Sequence, residues 1–481
     1  MIRDRRTVRL LVLVTAVGAV LRAIFVFQMA LPRFDPWRHL QLIRNLQAGR
    51  GFTLFDAQPY IWYTPLWYTL AAAVSSPATL KWFSAALSLL AVPIFSLFLL
   101  KQRHSRLQAL AGGLMMAVFG PVITFTCSDG GEPLALLLLV VSLLLSTAGR
   151  SLLGASAAGL VFGLSLMVRL NFVFCIFLFL PLLGRRKAAL AFLLAAALPA
   201  GAIWVNNDRV IRTHEYLFTW DGLATESRDY DLLSTLVVQD HPAVREAARR
   251  LSRMLAPVPE WLVRRGRVAW GTIGFMVLGG ACLLATRNVP LILAGFLPLL
   301  YFNFLDPTSM TNFFRHYLPL FPVYFMGFAE ISEWGRRWKK WGPAGSSLAW
   351  ILALGVGLSG AAYAVPAPMT PLEMATPPPS LLSDDHYMVN SSFYHPESLA
   401  FRFPDKRFIG MPLFPDRFED FARRYRAYGA ILWRLRYGVQ GELLRYLRGP
   451  GGYKVAAEAS NRYGIRYLVL KREAPPRAAG S

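Results

Sequence analysis

The sequence predicts an all-α polytopic membrane protein: a bundle of about eleven transmembrane helices, followed by a small α/β domain on the outer side of the membrane. Three observations predict it. The 481-residue chain is 55% hydrophobic and only 16% charged, against about 25% charged in an average soluble chain. Its apolar residues come in blocks almost free of charge, such as Leu10–Val20, Leu134–Leu145 and Ala188–Ala202. The basic residues behind the net charge of +23 cluster at the ends of those blocks.

Spans are expected near 9–30, 80–100, 107–126, 132–148, 151–168, 171–183, 187–204, 268–286, 289–304, 315–329 and 345–364, each set by the length a helix needs to cross the hydrocarbon layer. Arg3, Arg5 and Arg6 precede the first run as they would in a signal peptide. The run is too long and lacks a small-residue cleavage pattern, so it reads as an uncleaved first span. Connectors carrying Arg5-Arg6, Lys101 to Arg106, Arg150, Arg185-Arg186-Lys187, Arg287 and Arg336 to Lys340 fall on one side. Short basic connectors stay cytoplasmic, so the N-terminus is expected inside and the C-terminal domain outside. Basic residues at span ends, rather than on a soluble face interleaved with aromatics, argue against nucleic acid as a partner.

The outer segments are then 31–79, the turn Ser128–Glu132, and 205–267. Tyr63 to Val74 is too short to span. It is expected as an interfacial helix with Trp62, Tyr63, Trp67 and Tyr68 at headgroup depth. Val244 to Met254 is expected as a second, basic amphipathic one. The domains follow as a membrane bundle over 1–365, a Pro-rich spacer over 366–384 and an α/β domain over 385–481. In the last, Met388–Asn390 and Tyr467–Leu470 read as strands, and Phe418 to Tyr428 as a helix capped by Gly429. The three cysteines, Cys127, Cys175 and Cys282, lie in or beside apolar runs, which leaves no disulfide framework.

The chemistry is expected at the outer ends of the helices. Asp35 stands in Pro32–His39, directly after the first span. A carboxylate at the mouth of an apolar bundle can serve as a base, although an N-cap before Trp37 to Leu40 fits equally. Asp129 and Glu132 share one outer turn. Acidic residues at such depth are costly and tend to be functional; the alternative is a plain turn, with Glu132 favoured by a helix dipole. Arg22 lies deep in the first span and is expected to snorkel toward the outer interface, or else to pair with an acid of the cavity. Arg169, close to Asn171, is a similar case. Arg315, His316 and Tyr317 open a late span, where a guanidinium can grip a phosphate or anchor the interface. Histidines such as His39, His214, His241, His316, His386 and His395 form no metal-binding spacing. There is no P-loop, no dinucleotide fingerprint and no nucleophile elbow, so ATP-driven transport and soluble-nucleotide donors lack support.

Several segments, in order, resemble the GT-C superfamily of membrane glycosyltransferases. The groups in view are the protein O-mannosyltransferases, the aminoarabinose transferases of lipid A and the lipopolysaccharide-core galacturonosyltransferases. The segments are Leu21-Arg22, Asp35, Gly49-Arg50-Gly51-Phe52, Tyr63-Thr64-Pro65-Leu66-Trp67-Tyr68, Glu132-Pro133, Gly163-Leu164 to Arg169, Arg315 to Leu320 with Pro322, and Tyr463 to Leu468. There are departures: His39 where many members carry Tyr, His316 inside the Arg-Tyr pair, and no Trp-Trp-Asp signature of oligosaccharide transfer.

The resemblance implies a GT-C-like bundle that passes one sugar from a polyprenyl-phosphate carrier to a lipid, glycan or protein acceptor on the outer face, inverting the anomeric centre. It implies Asp35 as general base. Glu132, with Asp129, would orient the acceptor or hold a divalent cation. Arg315, Arg169 and His316 would face the donor phosphate, and His39, Tyr63 and Tyr317 the acceptor. The rival readings are a lipid-linked sugar flippase, for which no internal repeat is visible, and a surface-polysaccharide polymerase or ligase, which usually lacks a large external C-terminal domain.

Overall fold

A computed structural model describes residues 4–28, 36–52, 65–74, 79–102, 104–127, 130–147, 151–213, 267–300, 318–337, 376–389, 399, 402–410, 430–434, 441–462 and 464–472. The chain divides into two compact units. One comprises Met1–Ala30, Trp62–Arg209 and Asp240–Ala367; the other comprises Leu31–Ile61, Val210–Gln239 and Pro368–Ser481.

The first unit is a helical bundle. Its described helices are α1 (Arg5–Gln28), α3 (Pro65–Val74), α4 (Leu80–Lys101), α5 (Arg106–Val118), α6 (Gly120–Thr126), α7 (Glu132–Ser146), α8 (Leu152–Val168), α9 (Ile176–Leu183), α10 (Arg186–Thr213), α11 (Arg267–Thr286), α12 (Val289–Leu300) and α13 (Leu320–Arg337). By length and apolar composition, two of the described helices can cross a membrane: Arg5–Phe27 and Leu80–Lys101. A third candidate is the pair Gln108–Val118 and Gly120–Thr126, bent by 55°. Most of the other expected spans are shorter apolar helices, such as Glu132–Ser146 and Leu152–Val168. At 1.5 Å per residue, 15 residues cover about 22 Å of a core about 30 Å thick. The expected count of eleven spans is therefore not met among the described residues. The expected span 345–364 and the amphipathic stretch 244–254 lie outside them.

Local chemistry sets the helix ends. Asp4 opens α1, accepting from the Arg6 N–H and the Thr7 hydroxyl. It also pairs with Arg106 at 2.7 Å, which brings the starts of α1 and α5 to one end of the bundle. Ser105 and Gln108 form a reciprocal capping box on α5. Between α8 and α10 the contact is backbone-close. A Cβ added to Gly159 would lie 2.1 Å from the Phe192 carbonyl oxygen, and one added to Gly163 would lie 2.4 Å from that of Ala196. Small residues four apart permit this approach between apolar helices.

Side-chain contacts bear on two expectations. Trp67 and Tyr68, expected at headgroup depth, are buried, with Trp67 stacked on Phe83. α3 turns its aromatic face into the bundle because Gly131 leaves room for the indole. Arg22 is held inside the bundle, and among the described residues it pairs with no acid. It is 1% exposed. Its Nε donates to Ser88 (2.8 Å), Nη1 to the carbonyls of Gly18 (3.2 Å) and Ala117 (3.0 Å), and Nη2 to that of Met116 (3.2 Å). Carbonyls and a hydroxyl within the bundle satisfy the guanidinium where it stands.

The second unit holds a five-stranded sheet in the order β2-β1-β3-β5-β4. The strands are β1 (His386–Val389), β2 (Arg407–Gly410), β3 (Ala430–Arg434), β4 (Tyr453–Ser460) and β5 (Arg466–Arg472). β1 runs parallel to β2 and β3, whereas β5 runs antiparallel to β3 and β4. Tyr387, Val389, Phe408, Leu432, Tyr467 and Val469 form the core. Central β5 is buried along its middle and edge strand β4 is mostly exposed. The two strands expected from sequence fall on β1 and β5; the expected helix 418–428 lies outside the described residues. A short helix α14 (Gly441–Arg448) precedes β4. The unit also includes α2 (Pro36–Gln47), which ends in a Schellman turn: Arg50 N–H bonds to Asn45 and Gly49 N–H to Leu46. Gly49 and Gly51 both hold φ near +70°, the left-handed region that favours glycine, which accounts for the Gly-Arg-Gly spacing.

Candidate active site at one end of the bundle

α7 and α8 are consecutive and antiparallel, so the start of one meets the end of the other. Across their seam, Ser165 donates to the Ala135 carbonyl (2.8 Å) and Ser142 to that of Ala158 (2.7 Å), which fixes the register. Glu132 is the first residue of α7, followed by Pro133, which suits the first helical turn because its missing N–H would have no helical partner there. Arg169 follows α8 directly, with extended backbone (φ −151°, ψ 107°). Its Nη2 forms an ion pair with Glu132 Oε1. Glu132 is 2% exposed, and the Arg169 side chain 18%.

The approach depends on Gly131. A Cβ there would lie 2.7 Å from Val168 Cγ1 and 3.4 Å from the Trp67 side chain. Trp67 from α3 thus packs against the residue before Glu132. The indole Nε1 is buried without a hydrogen-bond partner among the described residues. Other chain ends gather on this side. Lys81, at the start of α4, donates to the Val26 carbonyl at the end of α1 (3.2 Å), and Phe27 meets Trp82 edge-on. After Arg169 the chain forms a 3-10 turn, Leu170–Cys175, whose Cys175 Sγ lies 3.7 Å from the Pro319 carbonyl just before α13.

A carboxylate so deeply buried is costly to ionise unless paired. Arg169 supplies the pairing charge and the N-terminus of α7 adds a favourable dipole. Removing one partner of such a pair generally costs about 3–5 kcal/mol. The arrangement is a rigidly held anionic group at the lip of an apolar bundle, suited to orienting a hydroxyl.

Of the residues singled out from sequence, Glu132 and Arg169 are brought together. His39 lies on α2, where the backbone alone is described. Asp35, Tyr63, Asp129, Arg315, His316 and Tyr317 lie outside the described residues. The family resemblance assigned Arg169 to the donor phosphate; pairing with an acid of the cavity was the alternative for it, and Glu132 is that acid. Sequence reasoning missed Trp67 as a wall of the site; the signal available was Gly131 beside an acid, with an aromatic segment upstream. Among the described residues no group of three or more His, Cys, Asp or Glu could hold a metal ion.

No protein-family model matches the chain, and no curated protein sequence does. Solved structures do. The oligosaccharyltransferase of Archaeoglobus fulgidus in its apo form superposes with a TM-score of 0.50 at 12% identity, covering 89% of this chain and 70% of the other. The same enzyme in complex with Zn and sulfate gives 0.52 at 12% identity, covering 95% and 72%. ArnT from Cupriavidus metallidurans, bound to undecaprenyl phosphate, gives 0.43 at 13% identity over 96% and 98%. The chain has the fold of this archaeal oligosaccharyltransferase.

Proposed function

We propose that the protein is a glycosyltransferase of the outer membrane face, moving one sugar from a polyprenyl-phosphate carrier to an acceptor hydroxyl with inversion. The observation that carries the reading is the buried Glu132–Arg169 pair at the lip of a GT-C bundle. Intramembrane charges of this kind are retained for function. The ordered sequence segments and the apolar bundle support it further. A donor with a polyprenyl tail stays in the bilayer, so its phosphate reacts at the interface.

In this reading Asp35 removes the acceptor proton. The acceptor oxygen attacks the anomeric carbon from the face opposite the phosphate. The C1–O bond to phosphate breaks, and polyprenyl phosphate leaves with the electron pair. Arg315, with His316, balances the charge growing on that phosphate. Glu132 orients the acceptor, alongside Asp129, His39, Tyr63 and Tyr317, and Arg169 holds Glu132 in place. A divalent cation, if one is bound, would be held by the acidic residues Glu132, Asp129 and Asp35, where it would neutralise charge beside the donor phosphate. The N-terminus is placed in the cytoplasm, with 1–365 as the catalytic bundle and 385–481 as an external domain.

The test uses purified protein, a radiolabelled polyprenyl-phosphate sugar and a membrane extract. Label should move to an extractable product, and Asp35→Asn should lower the rate by about 10²–10⁴-fold, the usual worth of a general base. Translocation of intact donor without bond cleavage would reject the proposal in favour of a flippase.

A further inference from the structure

Arg22 has no part in that reaction, yet it is fully buried and every partner of its guanidinium among the described residues is neutral. Its position is explained by the break between α5 and α6. Phe119 takes extended backbone (φ −69°, ψ 115°), and the two helices diverge by 55°. In an unbroken helix the carbonyls of Met116 and Ala117 would accept from residues 120 and 121. Residue 121 is proline, which has no N–H. Arg22 donates to both of those carbonyls, so the guanidinium replaces the two bonds interrupted by the break. A cation at the C-terminus of α5 also suits the helix dipole.

The same side chain reaches the far side of the break. Its Nε donates to Ser88 Oγ. The Ser88 and Thr126 hydroxyls are hydrogen-bonded, and Thr126 donates onward to the Val122 carbonyl (2.6 Å). Arg22 therefore grips the end of α5 directly and the last turn of α6 through Ser88. α6 leads, five residues on, to Gly131, seated between Val168 and Trp67, and then to Glu132.

We propose that Arg22 is a positioning residue: it sets the direction of α6 across the break, and so the seat of the turn that delivers Glu132 to Arg169. The functional meaning rests on the reading of Glu132 as a working carboxylate. The test does not need activity. A Cβ at 131 would lie 2.7 Å from Val168 Cγ1. The Cβ atoms of a Gly131→Cys, Val168→Cys pair are then at most one C–C bond further apart, within the reach of a disulfide, about 3.5–4.5 Å. Disulfide formation under mild oxidant, followed by mass spectrometry of the linked peptides in intact purified protein, reports that seat.

Adding Arg22→Met should slow cross-linking about tenfold, since it leaves buried carbonyls unsatisfied. Adding Pro121→Ala, which restores an N–H, should recover most of the rate. An unchanged rate in folded Arg22→Met protein, or slowing that Pro121→Ala does not relieve, overturns the proposal. If Arg22→Met does not fold, Thr126→Val carries the test: slowing of about threefold is expected from the loss of its buried bonds to Ser88 and the Val122 carbonyl, and no slowing overturns it. Glu132→Gln, assayed separately for sugar transfer, isolates the functional reading. Full activity there would remove the role of Glu132 and leave the cross-linking result intact.

Discussion

Two arginines are drawn into the same helical bundle and reach opposite electrostatic solutions. Arg169, at the end of α8, meets a buried carboxylate. Arg22, in the middle of α1, meets carbonyls and a hydroxyl. The first is a charge pair whose geometry matters at a site; the second is a cation solvated by a broken helix. The difference lies in what each would leave behind. Removing Arg169 strands a negative charge in an apolar surrounding, whereas removing Arg22 strands neutral oxygens.

The largest effect should therefore fall on Arg169→Met. Loss of about 3–5 kcal/mol of bundle stability is expected, the cost of leaving a buried charge unpaired, measured by unfolding in detergent and followed by helical signal. Transfer activity should be lost with it. The double variant Glu132→Gln, Arg169→Met should regain most of the stability, because no charge is left, yet stay inactive. Stability and activity recovering together would show the pair to be structural alone.

Arg22→Met should cost less, about 2–3 kcal/mol, from several unsatisfied buried acceptors partly offset by no longer burying a cation. Arg22→Lys should fall between, since one ammonium cannot face two carbonyls and Ser88 together. If Arg22→Met proved as damaging as Arg169→Met, an acidic partner outside the described residues would have to be sought.

The two arginines also differ in how far sequence alone could read them. An acid before Pro133 at the start of one apolar run and a basic residue at the end of the next can be matched by counting, since α7 and α8 share a short connection. Arg22 could not be solved that way. Its partners lie up to 95 residues away, and they are available only because Phe119 breaks a run that reads as one continuous apolar span over 107–126. The count of eleven spans is not met among the described residues for a related reason. Composition reports an apolar surrounding, but proline, the 3-10 turn after Arg169 and the break at Phe119 set helix length, and these shorten helices inside uniformly apolar stretches. Trp67 and Tyr68 illustrate the same limit: an aromatic-rich short helix looks interfacial until a glycine on another helix makes room for it. In the second unit, β1 and β5 were legible because their runs are apolar, whereas β3, equally apolar and in the middle of the sheet, was not singled out. Edge strand β2 has only Phe408 and Ile409 between Arg407 and Gly410, and edge strand β4 alternates too weakly to stand out.

Ser88→Ala probes the link between the two sites at smaller scale. It removes one bond to Arg22 and one to Thr126, and about 1–2 kcal/mol is expected. Because Ser88 carries the grip of Arg22 on α6, and so the seat of Glu132, the deficit should depart from simple addition to that of Arg169→Met by more than about 0.5 kcal/mol, as for coupled sites. Strict additivity would mean that the α6 network and the ion pair are independent, against the positioning role of Arg22.

The smallest effect belongs to a third arginine, which completes the series on the exposed side. Arg106 pairs with Asp4 with both side chains solvent-accessible, and surface pairs contribute little. The Asp4 carboxylate accepts the Arg6 N–H and the Thr7 hydroxyl, and these bonds, with Arg106 nearby, hold its pKa below the ordinary 3.8. A carboxyl whose folded pKa is depressed stabilises the fold above its unfolded pKa and loses that contribution as pH falls through the lower folded value. Asp4→Asn should thus give a small loss of stability at neutral pH that vanishes in acid as the pH falls through the lowered folded pKa and the native carboxyl also becomes neutral. The loss should shrink only in part in high salt, because the hydrogen bonds to Arg6 and Thr7 are local and Arg106 is the screened partner. A salt response as large as the whole effect would show that the ion pair, and not the cap, holds the start of α1.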